Sequence, residues 1–297
     1  MSRYLRLIAF CVSVLASAGC SNERRPPTEP SPPAPTGPTA PSAPQRLAAL
    51  ALFDAASVHA GMTTSPLTWA TAVDGQVWTG RCDAFEGDGS LQGSLDGGLS
   101  PTSGTTLPTG SHTYVVSFSK CLVDSWSTEL NGVASAVYNA AEWSNVTATV
   151  SADSMRGRGL DFLSDLDDAT ADGSAVWTRV ASSTVTTTYT PATGSRLVNN
   201  LTTNVATFGG GSYSEIQYPS LQGTSFRRDQ RFDDLKVAIN GTEYTLNGSL
   251  AVQRVVGSQQ TYTGEVRITN NGTLVARIYG DVRNALATEV LAPLVSL

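Results

Sequence analysis

Histidine, lysine and cysteine are scarce in this 297-residue chain, and their scarcity restricts the chemistry that it can perform. There are two histidines, His59 and His112, and neither lies in a motif that places a catalytic partner beside it. A structural role is therefore expected for both, rather than general-base catalysis. The nearest match to a nucleophile elbow, Gly210 to Ser214, ends in Ser where the motif requires Gly. No phosphate loop, dinucleotide fingerprint or zinc-ligand spacing occurs, so the sequence predicts neither an enzyme nor a cofactor.

Basic residues are also too few to balance the acidic ones. The chain has 19 Lys and Arg against 25 Asp and Glu, a formal net charge of −6, and its only lysines are Lys120 and Lys236. An acidic domain is a poor partner for nucleic acid or for an anionic lipid surface. Nucleic-acid binding is therefore excluded from the expected functions.

The first twenty residues have the composition of an export signal that ends in a cysteine. Arg3 and Arg6 form a positive region, Leu7 to Leu15 a short apolar region, and Ala16 to Gly19 a run of small residues before Cys20. The apolar run is too short to span a bilayer.

This arrangement resembles the bacterial lipoprotein signal peptide, although Ser17 stands where its lipobox usually has leucine. The resemblance implies that residues 1–19 are removed and that Cys20 is acylated and anchors the chain to a membrane. Because Ser21, not Asp, follows the cysteine, it also implies the outer membrane of a Gram-negative bacterium, on either face. The alternative is an ordinary cleaved secretory signal.

Residues 20–45 have the composition of a disordered tether. Nine of the fifteen prolines lie between Pro26 and Pro44, among Ser, Thr, Ala and Gly. Such a segment cannot bury a core and favours extended polyproline II, so it could reach roughly 80 Å. It is either a spacer that holds a domain away from the membrane or a passive linker.

Two cysteines remain for the domain once the signal is removed. Cys11 leaves with the signal and Cys20 takes the lipid, so Cys82 and Cys121 are expected to form a disulfide in an oxidising compartment. It would stabilise the fold by about 4 kcal/mol. The alternative is a pair of buried free thiols.

Residues 46–297 alternate apolar and polar residues between Asn/Gly turns, which indicates an all-β domain built as an antiparallel meander. The clearest turns are Asn240-Gly241 and Asn270 to Gly272, and residues 174–208 resemble a hairpin that turns near Pro191 to Gly194. Helices are expected at Arg46 to Ala60, stopped by Gly61, and near Ala285 to Leu291.

A repeated pattern places glycine on the apolar face of several strands. Such glycines favour a sheet that bends sharply or packs its inner face closely, as in an open barrel or half-barrel. The alternative is that glycine is merely common, with 27 in all. The six glycines in this pattern are Gly80, Gly93, Gly132, Gly248, Gly264 and Gly280.

The disulfide and the meander conflict at one point. If one strand separates those of Cys82 and Cys121, the two lie about 9.6 Å apart, beyond the roughly 7 Å that a disulfide tolerates. Either the cysteines lie at strand ends where the chain folds over, or the strand order is not sequential.

Charged clusters give only weak indications of a site. Asp168, Asp172 and Gly173 imitate the opening of a calcium loop, but Arg179 occupies the position of its bidentate glutamate. A solvated acidic loop is the preferred interpretation, and no metal is expected. A second cluster is interpreted as surface ion pairs and comprises Arg227, Arg228, Arg231, Asp229, Asp233 and Asp234.

Three functions remain open. The preferred one is a non-catalytic envelope lipoprotein with a structural or partner-binding role. The second is a carrier of an apolar or lipid ligand in a half-barrel groove, with the first helix as a lid, by architectural analogy with the periplasmic half-barrel carriers. The third is a hydrolase of envelope polymers that would use the acidic loop and exposed aromatics among Trp69, Trp126, Trp143 and Trp177.

Overall fold

The strands of this protein pair almost entirely in the order of the chain. A computed structural model describes residues 41–72, 75–98, 100–122, 128–159, 164, 166–219, 225–255 and 258–297. The elements are α1 (Ala43–Thr63), α2 (Ser65–Ala72), β1 (Gly80–Asp83), β2 (Asp88–Leu95), β3 (Gly110–Leu122), β4 (Glu129–Glu142), β5 (Asn145–Arg158), β6 (Asp168–Ala181), β7 (Val185–Pro191), β8 (Arg196–Asn199), β9 (Val205–Tyr218), β10 (Ser225–Ile239), β11 (Thr242–Val255), β12 (Thr261–Asn270), β13 (Thr273–Gly280) and β14 (Leu286–Val290).

All fourteen strands belong to one antiparallel sheet, which confirms the all-β meander. Each strand pairs with its neighbours in sequence, except that β7 pairs directly with β9 while the short β8 pairs with β6 and β9. In the part of the chain that the structure describes, β1 and β14 lie at opposite ends of the pairing path and do not pair with each other. The sheet is therefore open.

The sheet curves around α1. The helix contacts β4, β5 and β6 in the first half of the sheet and also β13 and β14 at its far end, which only a strongly curved sheet allows. From Ala48 to Thr63 nearly every residue of α1 is buried. The segment is apolar on all sides, as expected for a helix in the middle of a core.

The last residues of the chain close over the start of α1. The Gln45 side chain donates to the Leu294 carbonyl at 3.2 Å and accepts from the Leu294 N–H at 2.7 Å. Asn199 donates to the Leu297 carbonyl at 3.1 Å, and the Val295 N–H donates to the Tyr244 hydroxyl at 3.0 Å. These bonds satisfy backbone groups that would otherwise be buried without partners.

A line of β-bulges, here called the crease, bends the long strands. Register shifts interrupt β3, β5 and β10 at residues with positive φ: Lys120 (+52°), Ser154 (+49°) and Asp234 (+47°). Glycines lie beside the bulges on the neighbouring strands, among them Gly132 opposite Phe118 and Gly248 opposite Phe232. Bulges of this kind increase strand twist and bending, so the crease explains why the sheet coils.

Side chains on neighbouring strands complete the crease. The Ser154 N–H donates to Asp172 Oδ1 at 2.7 Å, and the Asp234 N–H donates to Asn247 Oδ1 at 2.8 Å. Asp172 and Asn247 each directly precede a crease glycine, Gly173 or Gly248. In each pair the Asp or Asn side chain accepts a hydrogen bond from the bulge N–H, and the glycine that follows leaves room for the bulged backbone.

Three local expectations were wrong. Helix α1 continues through Gly61 to Thr63, because its packing in the core outweighs the roughly 1 kcal/mol that glycine costs. Residues Ala285 to Leu291 do not form a helix, since 286–290 pair with β13 as β14. The hairpin within residues 174–208 turns between Ala181 and Val185, whereas Pro191 to Gly194 lead from β7 into β8.

The conflict over the disulfide is resolved at the strand ends. Cys82 lies near the end of β1 and Cys121 near the end of β3, on either side of Gly89 in β2. Their Cα atoms are 5.4 Å apart and their sulfur atoms are bonded. The strand order remains sequential, and the lack of a side chain at Gly89 leaves the space that the bridge crosses.

Candidate functional site

The outer surface of the sheet carries a large area without charge, here called the uncharged outer face. It lies on one side of the crease, on strands β3 to β7 and β9. Its outward-facing residues are Thr113, Val115, Ser117, Val133, Ser135, Val137, Asn139, Thr147, Thr149, Ser151, Ser174, Val176, Thr178, Val180, Thr186, Thr188, Thr190, Ser212, Ser214 and Ile216.

Cross-strand register arranges these residues in rows. Val137, Thr149, Val176 and Thr190 are successive partners across β4 to β7, in a row that begins at Thr113 on β3. Val137 is 53 % exposed and Val176 is 49 % exposed. Methyl groups and hydroxyls therefore alternate at the spacing of the sheet, about 4.8 Å from strand to strand.

Beyond β9 the outer surface is charged. Arg227, Asp229, Arg231 and Asp233 face outwards on β10 and oppose β9 directly. Further ion pairs join Arg267 and Arg277 to Glu265, and Arg277 to Glu289. Sequence reasoning missed this division, although part of its signal was present: within the uncharged outer face the polar positions are Thr, Ser and one Asn, whereas the outward positions of β10 are Arg and Asp.

His59 is a fully buried structural residue that joins α1 to the sheet. Its Nε2 lies 3.1 Å from the Asp172 main-chain carbonyl, which can only accept, so Nε2 carries the proton. Nδ1 then accepts from the Tyr189 hydroxyl, and the ring packs against Phe208 at 4.9 Å between centroids. Burial lowers the pKa of His59 from 6.5 to about 4. Both nitrogens are used, so the histidine is neutral and unavailable as a base.

His112 lies at the rim of the sheet and pairs with Asp96. The two side chains approach to 2.8 Å, and Asp96 also accepts from the Thr113 N–H at 2.9 Å. The hydrogen bond from the Thr113 N–H, and to a smaller extent the one with His112, lowers the pKa of the Asp96 carboxyl below its usual value. This pair holds the loop that follows β2 against strand β3. It brings no nucleophile with it.

A second chain of polar side chains faces α1 from β9 and β10. Gln230 donates to the Tyr213 hydroxyl at 2.9 Å, and that hydroxyl donates to Glu215 at 3.1 Å. Glu215 pairs with Arg228 at 3.5 Å. Arg228 therefore does not belong to the surface ion-pair cluster that was expected on β10. Of that cluster, Arg227 and Asp229 do pair, at 3.1 Å. Burial raises the pKa of Tyr213, as in a structural network.

The two acidic residues that imitate a calcium loop are held by other partners. Asp168 accepts from Arg156 Nε at 2.9 Å and from Asn200 at 2.7 Å, and the bonded guanidinium lowers the pKa of the Asp168 carboxyl. Asp172 accepts from the Ser154 N–H and lies 3.5 Å from Arg196. Within the described ranges, no three His, Cys, Asp or Glu side chains converge on a metal position.

Four of the six predicted glycines lie where a side chain would collide with a neighbouring strand. A Cβ at Gly132 would be 2.9 Å from Met155 Cα, and Cβ atoms at Gly248, Gly264 and Gly280 would meet carbonyl oxygens of the adjacent strand. Gly93 instead faces the ring of Tyr114, and Gly80 faces open space, so close packing does not explain Gly80. Cys20 lies outside the described residues.

The tryptophans differ from the expectation of an exposed aromatic set. Trp143 and Trp177 are buried, at 8 % and 3 % exposure, because both pack on the inner face. The side chains of Trp69 and Trp126 lie outside the described residues. Trp78, which sequence reasoning did not single out, is 38 % exposed beside β1.

None of the helices described is long and apolar enough to cross a bilayer. Comparison with protein-family models, with curated proteins and with solved structures finds no match to this chain.

Proposed function

We propose that this protein is an envelope lipoprotein, anchored through Cys20 to the outer membrane, whose non-catalytic β domain binds a protein partner through the uncharged outer face. The observation that carries the proposal is the division of the outer surface: the twenty positions of the uncharged outer face hold no charged residue and Asp153, opposite Val133, lies only at their border with the crease, while β10 carries four charged residues in succession. A solvated surface with no binding role gains solubility from dispersed charge.

The size of the uncharged outer face suits a small interface. Six strands at about 4.8 Å and runs of about 20 Å along each strand give roughly 500 Å². That area matches the largest functional patches on monomers, of about 300 to 600 Å², and is below the roughly 800 Å² per partner of a stable complex. Exposed valines such as Val137, Val176 and Val180 supply the apolar contacts. A transient partner with an equally neutral surface fits best.

The inner side of the sheet favours this proposal over the carrier. Helix α1 occupies the concave side with buried side chains such as Leu52, Phe53 and Met62. A pocket between α2 and the sheet, lined by residues that include Pro66, Tyr114 and Phe118, has a volume of about 10 Å³. That is room for about one water molecule and not for a lipid chain.

Site-specific photo-crosslinking in cells that produce the protein tests the partner proposal. A photoreactive amino acid at Val137 should give a discrete protein adduct, and Val176→Lys in the same chain should abolish it. Val255 is the matched control, because it is a 43 % exposed valine on β11, outside the uncharged outer face. Adducts that are absent at Val137, or equally strong at Val255, would contradict the proposal.

The anchor and the carrier alternative need separate measurements. Labelling with an alkyne fatty acid should modify the protein and should fail in Cys20→Ala, and an unmodified N-terminus at another residue would refute the anchor. Titration of the purified chain with a fluorescent fatty acid should show no saturable binding. Saturable binding would favour the carrier instead.

A further inference from the structure

An open depression at the free edge of the sheet has the size of a ligand site. Its volume is about 420 Å³, within the roughly 300 to 1,000 Å³ typical of small-molecule sites. It lies where β1, the edge strand, comes beside the ends of β2 and β3. The residues that line it are Trp78, Arg81, Cys82, Asp83, Asp88 and Leu122.

The lining combines an aromatic surface with exposed hydrogen-bonding groups. Trp78 is 38 % exposed, and an indole offers a large flat apolar area at low conformational cost. Asp83 and Asp88 can only accept hydrogen bonds when ionised, whereas Arg81 can only donate them. Arg81 and Asp88 are 3.9 Å apart, with side chains 88 % and 82 % exposed, so both are free to turn towards a ligand.

The charges of the depression select the class of ligand. Among the described residues of the lining, two carboxylates stand against one guanidinium, which disfavours phosphate or another anion. A metal ion is also disfavoured, because no cluster of three ligating side chains exists in the described ranges. Arg81 in the same wall repels an organic cation, so the ligand that best uses the donors, the acceptors and the aromatic surface together is neutral, rich in hydroxyls and apolar on one side. Saccharide rings have this chemistry.

The backbone that carries the depression is held in place by contacts with β3 and β4. The Cys82–Cys121 disulfide ties β1 to β3. In the turn between Asp83 and Asp88, the Phe85 N–H donates to the buried Glu129 carboxylate at 2.8 Å. Arg158 lies 3.7 Å from that carboxylate and 5.7 Å from the centre of the Phe85 ring. Fixed walls reduce the entropy that is lost when a ligand binds.

We propose that this depression binds a neutral saccharide, with one sugar ring stacked on Trp78 and with hydroxyls bonded to Asp83, Asp88 and Arg81. The site lies at the β1 edge and shares no residue with the uncharged outer face. Its test is therefore independent of the proposed partner.

Isothermal titration calorimetry of the full-length chain in detergent tests the site with two probes, the tetramer of N-acetylglucosamine and maltotetraose. At least one should bind. Trp78→Ala should weaken that binding about tenfold or more, and Asp88→Asn should weaken it measurably. Phe226→Ala is the matched control, because Phe226 is a 44 % exposed aromatic on β10 with Arg228 over its ring. It should leave the affinity unchanged.

Two further observations keep the test decisive. The thermal unfolding midpoint of each variant shows whether it is folded, and Trp78→Phe, which keeps a smaller ring, should bind with intermediate affinity. If neither saccharide gives a binding isotherm, or if the Trp78 and Phe226 variants bind alike, the proposal is overturned.

Discussion

Replacing glycine by alanine should change the free energy of unfolding in opposite directions at two positions, Gly248 in the crease and Gly61 in α1. At Gly248 the backbone φ is +115°, and an added Cβ would meet the Glu265 carbonyl oxygen and lie 3.3 Å from Val266 Cα. Backbone strain of this kind costs about 1 to 3 kcal/mol, and overpacking costs a further 1 to 3 kcal/mol or so. Gly248→Ala should therefore lower the free energy of unfolding by about 2 to 6 kcal/mol.

The same change at Gly61 lacks both penalties. Nothing lies within 4 Å of an added Cβ, and the backbone is helical. Because alanine is the better helix former, Gly61→Ala should raise the free energy of unfolding by about 0.5 to 1 kcal/mol.

Thermal unfolding followed by circular dichroism separates the two effects. A domain of this size shifts by about 2 to 4 °C per kcal/mol, so Gly248→Ala should lower the midpoint by about 4 °C or more and Gly61→Ala should raise it slightly. Gly132→Val and Gly280→Val should behave like the Gly248 variant, because both glycines also face a neighbouring backbone. Unchanged or raised midpoints for all three strand variants would show that the crease is not tightly packed and would refute the argument.

Two further predictions concern the buried histidine and the disulfide. The unfolded chain binds a proton on His59 below about pH 6.5, whereas the folded chain does so only near pH 4. The free energy of unfolding should therefore fall as pH decreases between these values, by about 3 kcal/mol in all. Urea titrations at several pH values should show that His59→Gln loses this part of the pH dependence, and an identical pH dependence in both proteins would contradict it. Reduction of the Cys82–Cys121 bond, or its replacement by two alanines, should lower the free energy of unfolding by about 2 to 4 kcal/mol. A midpoint insensitive to reductant would show that the bridge contributes nothing.

Turns and strand alternation could be predicted from the sequence because both are local. Asn240-Gly241 does connect β10 to β11, and Asn271-Gly272 does connect β12 to β13, since positive φ at these positions depends on the residues themselves. The segment Ala285 to Leu291 was misjudged because its helix-forming residues lie beside β13. Pairing along a sheet edge is a non-local contact that overrides a weak local propensity.

The candidate sites were less predictable because they depend on which strands become neighbours. Each strand of the uncharged outer face holds only three or four of its residues, and its extent is visible only once β3 to β9 lie side by side. Likewise, Trp78 and Asp88 are separated by a turn and acquire a common role only at the edge of the sheet. The glycines were predictable as a group, but the bulges opposite Gly132 and Gly248 were not, because a bulge depends on the pairing of two strands.

The placement of α1 has a consequence for how the protein is made. Gln45 and Leu294 are joined by hydrogen bonds across 249 positions of sequence, so α1 is synthesised well before β13 and β14, which complete its surroundings. Hairpins of the meander can form as they emerge, whereas the closing step over α1 is non-local and therefore slow. A chain truncated before β13 would leave one side of the helix and the adjoining sheet open to water, as a target for chaperones and proteases. The surroundings of α1 thus depend on residues 273–297, which are synthesised long after the helix itself.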